Sequence, residues 1–378
     1  MAVRTRRRLI LGCMAAWAAL VYGWCVLAPP AQDAGRTARL LPALFAGLRV
    51  EPEGWGRPRP IRVTEPFPVA DGEAFLHYYV PALGRYPAII FSLGVNPAPP
   101  DDPRVVRLLS GFARAGIVAV LVQSTALDQD RITPAAPDLL VRAFAHVAGR
   151  AFVDGERVAL TGFSVGAGVV SVAAADARIA ERVRLLEAFG GYYSFAELAE
   201  EITTASLRIG DGYQTWDPDA LSRAVMEKNL IAAVPDPAQR EAVALALAGD
   251  LARVSTLGSH ARTVYDLLAN TDPTKAGALY ARLPESQRAE LRALSPAASA
   301  QGIRAPTFLM HDRGDPLIPY VETRRFAETL TAQGTVPYYV EFDIFEHVDP
   351  TRGGNPLVVA RDMVKLFLHI QAVLRELE

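Results

Sequence analysis

The chain is poor in thiols: of its 378 residues only two are cysteine, Cys13 and Cys25, and both fall in one apolar stretch near the N-terminus. The rest of the chain therefore has neither a disulfide framework nor a cysteine-ligated metal, and it is indifferent to an oxidising compartment. Lysine is almost as scarce, occurring only at Lys228, Lys275 and Lys365, while arginine and alanine are abundant, which reflects coding bias rather than function. An excess of one charge is also missing. With 39 basic against 41 acidic residues and no long like-charge run beyond the first few positions, nothing favours a nucleic-acid partner. No two of the six histidines share ligand spacing with carboxylates, so no metal site and no cofactor is expected. What the chain has in quantity is apolar residues, 51% of the total, enough to bury a large core in one or two domains.

The one long hydrophobic run is residues 9–28, which follows Arg4, Arg6, Arg7 and Arg8 and contains no charge. About twenty apolar residues in a helix match the roughly 30 Å hydrocarbon core of a bilayer. Residues 1–28 thus read as an N-terminal transmembrane anchor or signal segment. A retained anchor is favoured, because the apolar core is long and Val26-Leu27-Ala28 meets Pro29 and Pro30 at once. The basic cluster keeps the N-terminus cytoplasmic and sends the remainder across the membrane; cleavage would make the protein secreted. Residues 29–60, with six prolines, read as a stalk or linker carrying a short amphipathic helix near 39–48. There Leu40, Leu41, Leu44 and Phe45 fit either a peripheral membrane contact or packing onto the domain.

From Ile61 short apolar strands and helices alternate, the pattern of a mostly parallel central sheet flanked by helices. Strands are predicted over 74–81, 87–93, 117–123, 183–189 and 338–344, and helices over 104–116, 134–150, 321–333 and 356–377. The alternation breaks at residues 195–296, where apolar residues recur at helical spacing throughout, in stretches such as 219–234, 237–254 and 285–294. Segments 61–194 and 297–378 form an α/β core, then, and 195–296 is a helical cap inserted over the carboxyl ends of the strands. His260, Tyr213, Trp216 and Tyr265 are possible pocket residues of that cap, though aromatics at helical spacing more often belong to a core.

The chain is organised around Arg157-Val-Ala-Leu-Thr-Gly-Phe-Ser-Val-Gly-Ala-Gly168, an apolar run that stops at a serine between two glycines and continues into small helix-compatible residues. A serine on such a strand-turn-helix is lifted clear of the sheet. Gly162 and Gly166 remove side chains that would collide with neighbouring backbone, and the first amides of the helix face the same spot. Ser164 is therefore the candidate nucleophile. A serine needs a base and an acid. Asp315, just before Pro316-Leu-Ile-Pro319, is the candidate acid, with Asp312 competing three residues earlier. His347 is the candidate base, since it alone among the six histidines occupies a loop after a strand and after the acid. Backbone donors for a developing oxyanion are expected from Val165 and from the Gly94-Val95 turn.

Gly162-Phe-Ser-Val-Gly166, His311-Asp-Arg-Gly-Asp315 with Pro319, and His347 resemble the three signature segments of the α/β-hydrolase superfamily, nearest to its dienelactone-hydrolase-like and esterase-like branch. The resemblance covers roughly residues 70–190 and 297–375. It implies a serine hydrolase acting on a small-molecule carboxylic ester or related acyl bond through an acyl-enzyme intermediate. The sequence departs from the family at Leu93-Gly94, where His-Gly is frequent, and at Asp312, where glycine is usual. The same residues would serve an extracytoplasmic acyltransferase, and a binding module on this fold would keep them without turnover. A dinucleotide fold is set aside because Gly162, Gly166 and Gly168 do not have the GxGxxG spacing.

Sequencing the N-terminus of protein isolated from cells tests the anchor: the expected product retains residues 1–28 and sediments with membranes, whereas a mature start near residue 29 removes the anchor.

Overall fold

The computed structural model describes residues 29–44, 59–69, 72–95, 97–345, 347 and 355–378, so the expected membrane segment over 1–28 lies outside the described residues. Among the described residues no helix is long and apolar enough to cross a membrane. The described residues begin with α1 (Pro29–Leu40) and a 3-10 turn, Leu41–Leu44. Then come β1 (Ile61–Phe67), β2 (Ala74–Val80), β3 (Tyr86–Ser92), α2 (Pro103–Arg114), β4 (Val118–Ser124), α3 (Ala135–Ala148), β5 (Val153–Phe163), α4 (Val165–Ala174) and β6 (Val183–Phe189).

Runs such as Ala88-Ile-Ile-Phe91 and Val118-Ala-Val-Leu-Val122 are buried at every position. Strands apolar on both sides need cover on both faces, which is the condition of a parallel sheet interior. The sheet has eight strands in the order β1-β2-β4-β3-β5-β6-β9-β10, where β9 is Thr307–Asp312 and β10 is Tyr338–Phe342. Only the β1–β2 and β2–β4 pairings are antiparallel. Alternate residues feed two cores. Ile90, Val120, Leu160, Leu186 and Leu309 face α3 and α4, whereas Ile89, Phe91, Leu185 and Met310 face α2 and the C-terminal helix, Pro356–Glu376. Each such side chain contributes about 2 kcal/mol by leaving water. Local signals agree with these bounds: α2 starts where Asp102 accepts from the Arg104 amide and Pro103 occupies the first turn.

Three expectations are refined by the structure. Of the helix placed near 39–48, residues 39–44 are described, as the end of α1 and its 3-10 turn, and Leu40 and Ala43 are buried against α2, the packing alternative of the two the sequence left open. Pro29 and Pro30 belong to α1, so within 29–60 the described helix lies earlier than the sequence placed it. The insertion is not helical throughout. After α5 (Phe195–Thr204) it contains a hairpin, β7 (Ser206–Ile209) and β8 (Gly212–Thr215), turning at Gly210-Asp211, where Gly210 takes φ 57°. After α6 (Ala220–Ala232), the single helix expected over 237–254 is α7 (Pro237–Leu247) followed by a 3-10 turn, because Gly249 at φ 108° ends it. The insertion closes with α8 (Ser259–Leu268), α9 (Pro273–Ala281) and α10 (Glu285–Ala293); α11 (Tyr320–Ala332) and α12 (Pro356–Glu376) complete the core.

The junction between sheet and insertion is held by one carboxylate. Glu322 of α11, completely buried, accepts from the Tyr193 and Ser194 amides at 2.8 Å each, where the chain enters α5. Arg325 reaches its other oxygen at 2.6 Å and Glu201 at 2.8 Å. Burial pushes the Glu322 carboxyl up to about 7, with Arg325 opposing and the charge of Glu197 adding to the rise. A folded pKa above the unfolded 4.5 means that the folded state holds the extra proton, so this contribution is full at low pH and is lost as pH rises toward 7. Thermal melts across that window are expected to show a fall in Tm with rising pH that flattens in Glu322→Gln; equal slopes in both proteins would remove Glu322 as the cause.

Candidate active site

β5 ends at Phe163 and α4 begins at Val165, leaving Ser164 alone on the turn with φ 55° and ψ −132°, a conformation costly for a residue with a side chain. Around the turn there is no room for a side chain at either flanking glycine. A β-carbon on Gly166 would lie 2.3 Å from the Ser92 carbonyl oxygen and 2.7 Å from the Gly94 nitrogen, and one on Gly162 would lie 2.4 Å from the Gly166 carbonyl oxygen. The Ser164 amide donates to the Phe189 carbonyl at 2.9 Å, tying the turn to the end of β6.

The expected oxyanion elements meet at this turn. Gly94, at φ 91°, follows β3 and approaches so closely that a β-carbon there would sit 2.9 Å from the Gly166 nitrogen and 3.2 Å from the Val165 nitrogen. Val95 and Val165 line one cavity together with Ser164 and His347. The loop after β3 and the first turn of α4 thus present backbone to a common space, at the positive end of a helix.

Asp315 and His347 are in direct contact. The His347 Nδ1–H donates to Asp315 Oδ2 at 2.6 Å, and Oδ1 of the same carboxylate accepts from the Leu317 and Ile318 amides at 2.8 and 3.1 Å. Burial by itself would raise the Asp315 pKa; the neighbouring His347, together with hydrogen bonds from His311 and His347, more than reverses this and holds it well below the usual carboxylate range. With Nδ1 engaged by Asp315, the other ring nitrogen, Nε2, is buried with no hydrogen-bond partner among the described residues. His347 itself is at φ 59°.

Asp312 and Asp315, the two candidate acids, hold different partners. Asp312 accepts from the Gly314 amide at 2.8 Å and from the Phe345 amide at 2.7 Å, so it pins the loop that carries His347 to the end of β9. Phe345 packs edge-on against Phe189 with centroids 5.0 Å apart, fixing the same loop from the other side.

Other residues were missed or underrated by sequence reasoning. His311 is fully buried beside Asp315, its Nε2 donating to the Ile318 carbonyl at 2.8 Å and lying 3.2 Å from Asp315 Oδ2. Its place at the end of β9, four residues from Asp315, was the available signal. The cap reaches the acid loop through backbone: Trp216 Nε1 donates to the Asp315 carbonyl at 3.0 Å, and Ser222 Oγ to the Leu317 carbonyl at 2.6 Å. Tyr213, His260 and Tyr265 are not among the cavity's lining residues. The remaining histidines have partners elsewhere: His77 with Thr64 and Gln123, His146 with Glu65, His260 with Gln287, and His369 with Glu187. Among the described residues no cluster of three or more His, Cys, Asp or Glu side chains is placed to hold a metal ion.

The cavity over the turn encloses about 420 Å³ and is mostly apolar, with Leu198, Ile202, Val225 and Met226 contributed by the cap. Substituting Gly166→Ala forces a methyl group into backbone from two directions, and is expected to cost roughly 1–3 kcal/mol in a denaturant titration; an unchanged midpoint would contradict the described turn.

No family model matches the sequence, and no curated protein is similar to it. Among solved structures, a variant of esterase rPPE is similar at 18% identity and a TM-score of 0.49, over 94% of this chain and 95% of that one. The hyperthermophilic esterase from Pyrobaculum calidifontis is similar at 18% identity and 0.46, over 90% and 88%. A Bacteroides ovatus protein described as a dipeptidyl aminopeptidase IV aligns at 13% identity and 0.49 over 84% of this chain, which spans only 36% of that longer chain. At this level of likeness the activity of those proteins does not transfer. By its own topology, a mostly parallel sheet with helices on both faces and a Gly-x-Ser-x-Gly turn between β5 and α4, the chain has the α/β-hydrolase fold.

Proposed function

We propose that the protein is a serine hydrolase that cleaves a carboxylic ester or related acyl bond. One observation carries this reading: His347 is held by the buried Asp315 carboxylate while its Nε2 is left unpartnered, in a cavity that Ser164 also lines. Asp315 holds the imidazole in the tautomer that leaves Nε2 able to accept a proton and then offsets the charge that the ring acquires. Ser164 Oγ transfers its proton to Nε2 as it attacks the substrate carbonyl carbon. The tetrahedral oxyanion then takes the hydrogen bonds of the Val165 amide and the Gly94-Val95 turn, and the imidazolium returns the proton to the leaving alcohol. Water repeats the sequence on the acyl-enzyme, releasing the acid and restoring Ser164. The mostly apolar lining of the cavity supports a substrate of low polarity. We further place the domain on the extracytoplasmic side of a membrane, a reading supported by the arginines at 4 and 6–8 before the apolar run.

Ser164→Ala is expected to lower turnover of p-nitrophenyl esters by a thousandfold or more, roughly, and to abolish labelling by a fluorophosphonate. Asp315→Asn is expected to lower kcat by about four orders of magnitude with the fold intact, whereas Asp312→Asn lowers Tm first and turnover only in part. Undiminished turnover in Ser164→Ala would refute the hydrolase reading; the opposite ranking of the two aspartates would reassign the acid.

A further inference from the structure

The cavity extends well beyond the Ser164 edge. It continues past Phe163 and Phe189 and along the face of the sheet covered by α2 and α12, where Leu108, Leu366 and Ile370 line it, and the 3-10 turn after α1 contributes Ala43. In this apolar stretch two polar side chains stand together. Thr161 on β5 and Glu187 on β6 are register partners, point to the same face and line the same cavity. Thr161 lies three residue steps before Ser164, a distance of about 10 Å at strand rise.

The mechanism described above uses neither residue. Glu187 is 7% exposed, and the hydrogen bonds its carboxylate makes among the described residues come from one nitrogen, His369 Nε2, at 3.0 and 3.1 Å. A carboxylate offers about four acceptor sites, and a single N–H shared between its oxygens leaves the others unused in a low-polarity space, where an unmet acceptor is costly. The Thr161 hydroxyl makes no hydrogen bond to another described residue and is free to accept or donate. A dry cavity that needed only to hold a hydrocarbon would be more stable with an apolar residue at 187.

We propose that Glu187 and Thr161 form an inner subsite that recognises a hydroxyl group on the acyl chain of the substrate, so that the preferred esters carry a long, otherwise apolar acyl chain hydroxylated at or near its far end. The inference rests on the reading of Ser164 as nucleophile, which fixes where the carbonyl sits. Extended chain advances about 1.2 Å per bond, so a 10 Å separation corresponds to a hydroxyl roughly eight to ten bonds from the carbonyl. The hydroxyl donates to Glu187 and accepts from Thr161. A cation at the same place would bring a full charge through an apolar passage, which the lining disfavours.

The test is equilibrium binding of methyl decanoate and its ω-hydroxylated counterpart to the full-length Ser164→Ala protein, which holds both esters unhydrolysed. The hydroxylated ester is expected to bind roughly tenfold more tightly. That preference should vanish in Ser164→Ala/Glu187→Leu, where the plain ester binds at least as well as before. Thr161→Val, nearly isosteric, should reduce the preference without altering the melt and serves as the check if the Glu187 variant fails to fold. Equal affinities for the two esters, a preference that survives both substitutions, or tighter binding of the ω-amino ester would each overturn the subsite. Loss of the hydrolase reading would show separately, as wild-type protein that turns over neither ester and resists fluorophosphonate, with the binding comparison still valid.

Discussion

The site depends on a place where three pieces of backbone approach without room for a β-carbon. The end of β3, the turn after β5 and the first turn of α4 come so close that side chains at 94, 162 or 166 would overlap backbone atoms at 2.3–2.9 Å. Such contact is possible only where glycine supplies it, and it converts a flexible turn into a fixed one. Ser164 is consequently held in a conformation it would not adopt alone, its strain opposed by the packing of β5, β6 and α4 around it. The amides of Val165 and the Gly94 turn gather at the same place for the same reason.

A second constraint acts through charge. Asp315 is a buried carboxylate that stays ionised because two amides, His347 and the adjoining His311 surround it. Burying an ion without such partners is expensive, so the network that orients His347 is also what makes the buried charge tolerable. Asp312 has a different task on the same loop pair: it accepts from the backbone of the β9 turn and of the segment before His347. The two aspartates divide holding His347 from holding the loop that carries it.

The cap and the N-terminal helix shape what reaches the serine. Cap residues close the cavity above the turn and clamp the acid loop through Trp216 and Ser222, while α12 and the turn after α1 bound its inner reach under the sheet. The polar pair Thr161 and Glu187 stands out there because strand alternation points both into a space otherwise built from Phe, Leu and Ile.

Much of this was legible in the chain itself. Uninterrupted apolar runs specify buried parallel strands, glycines flanking Ser164 specify a turn of that shape, and the order serine, aspartate, histidine at strand ends specifies which edge of the sheet they share, because these are properties of local periodicity and chain order. Other features were decided only by packing. Asp312 and Asp315 are chemically identical and three residues apart, and only the folded loops determine which carboxylate meets His347 and which meets the Phe345 amide. Leu40 packs on α2 instead of facing outward because the groove that receives it is assembled from residues over sixty positions away. Thr161 and Glu187 become neighbours through the register of β5 against β6, a long-range pairing to which composition, spacing and periodicity are blind.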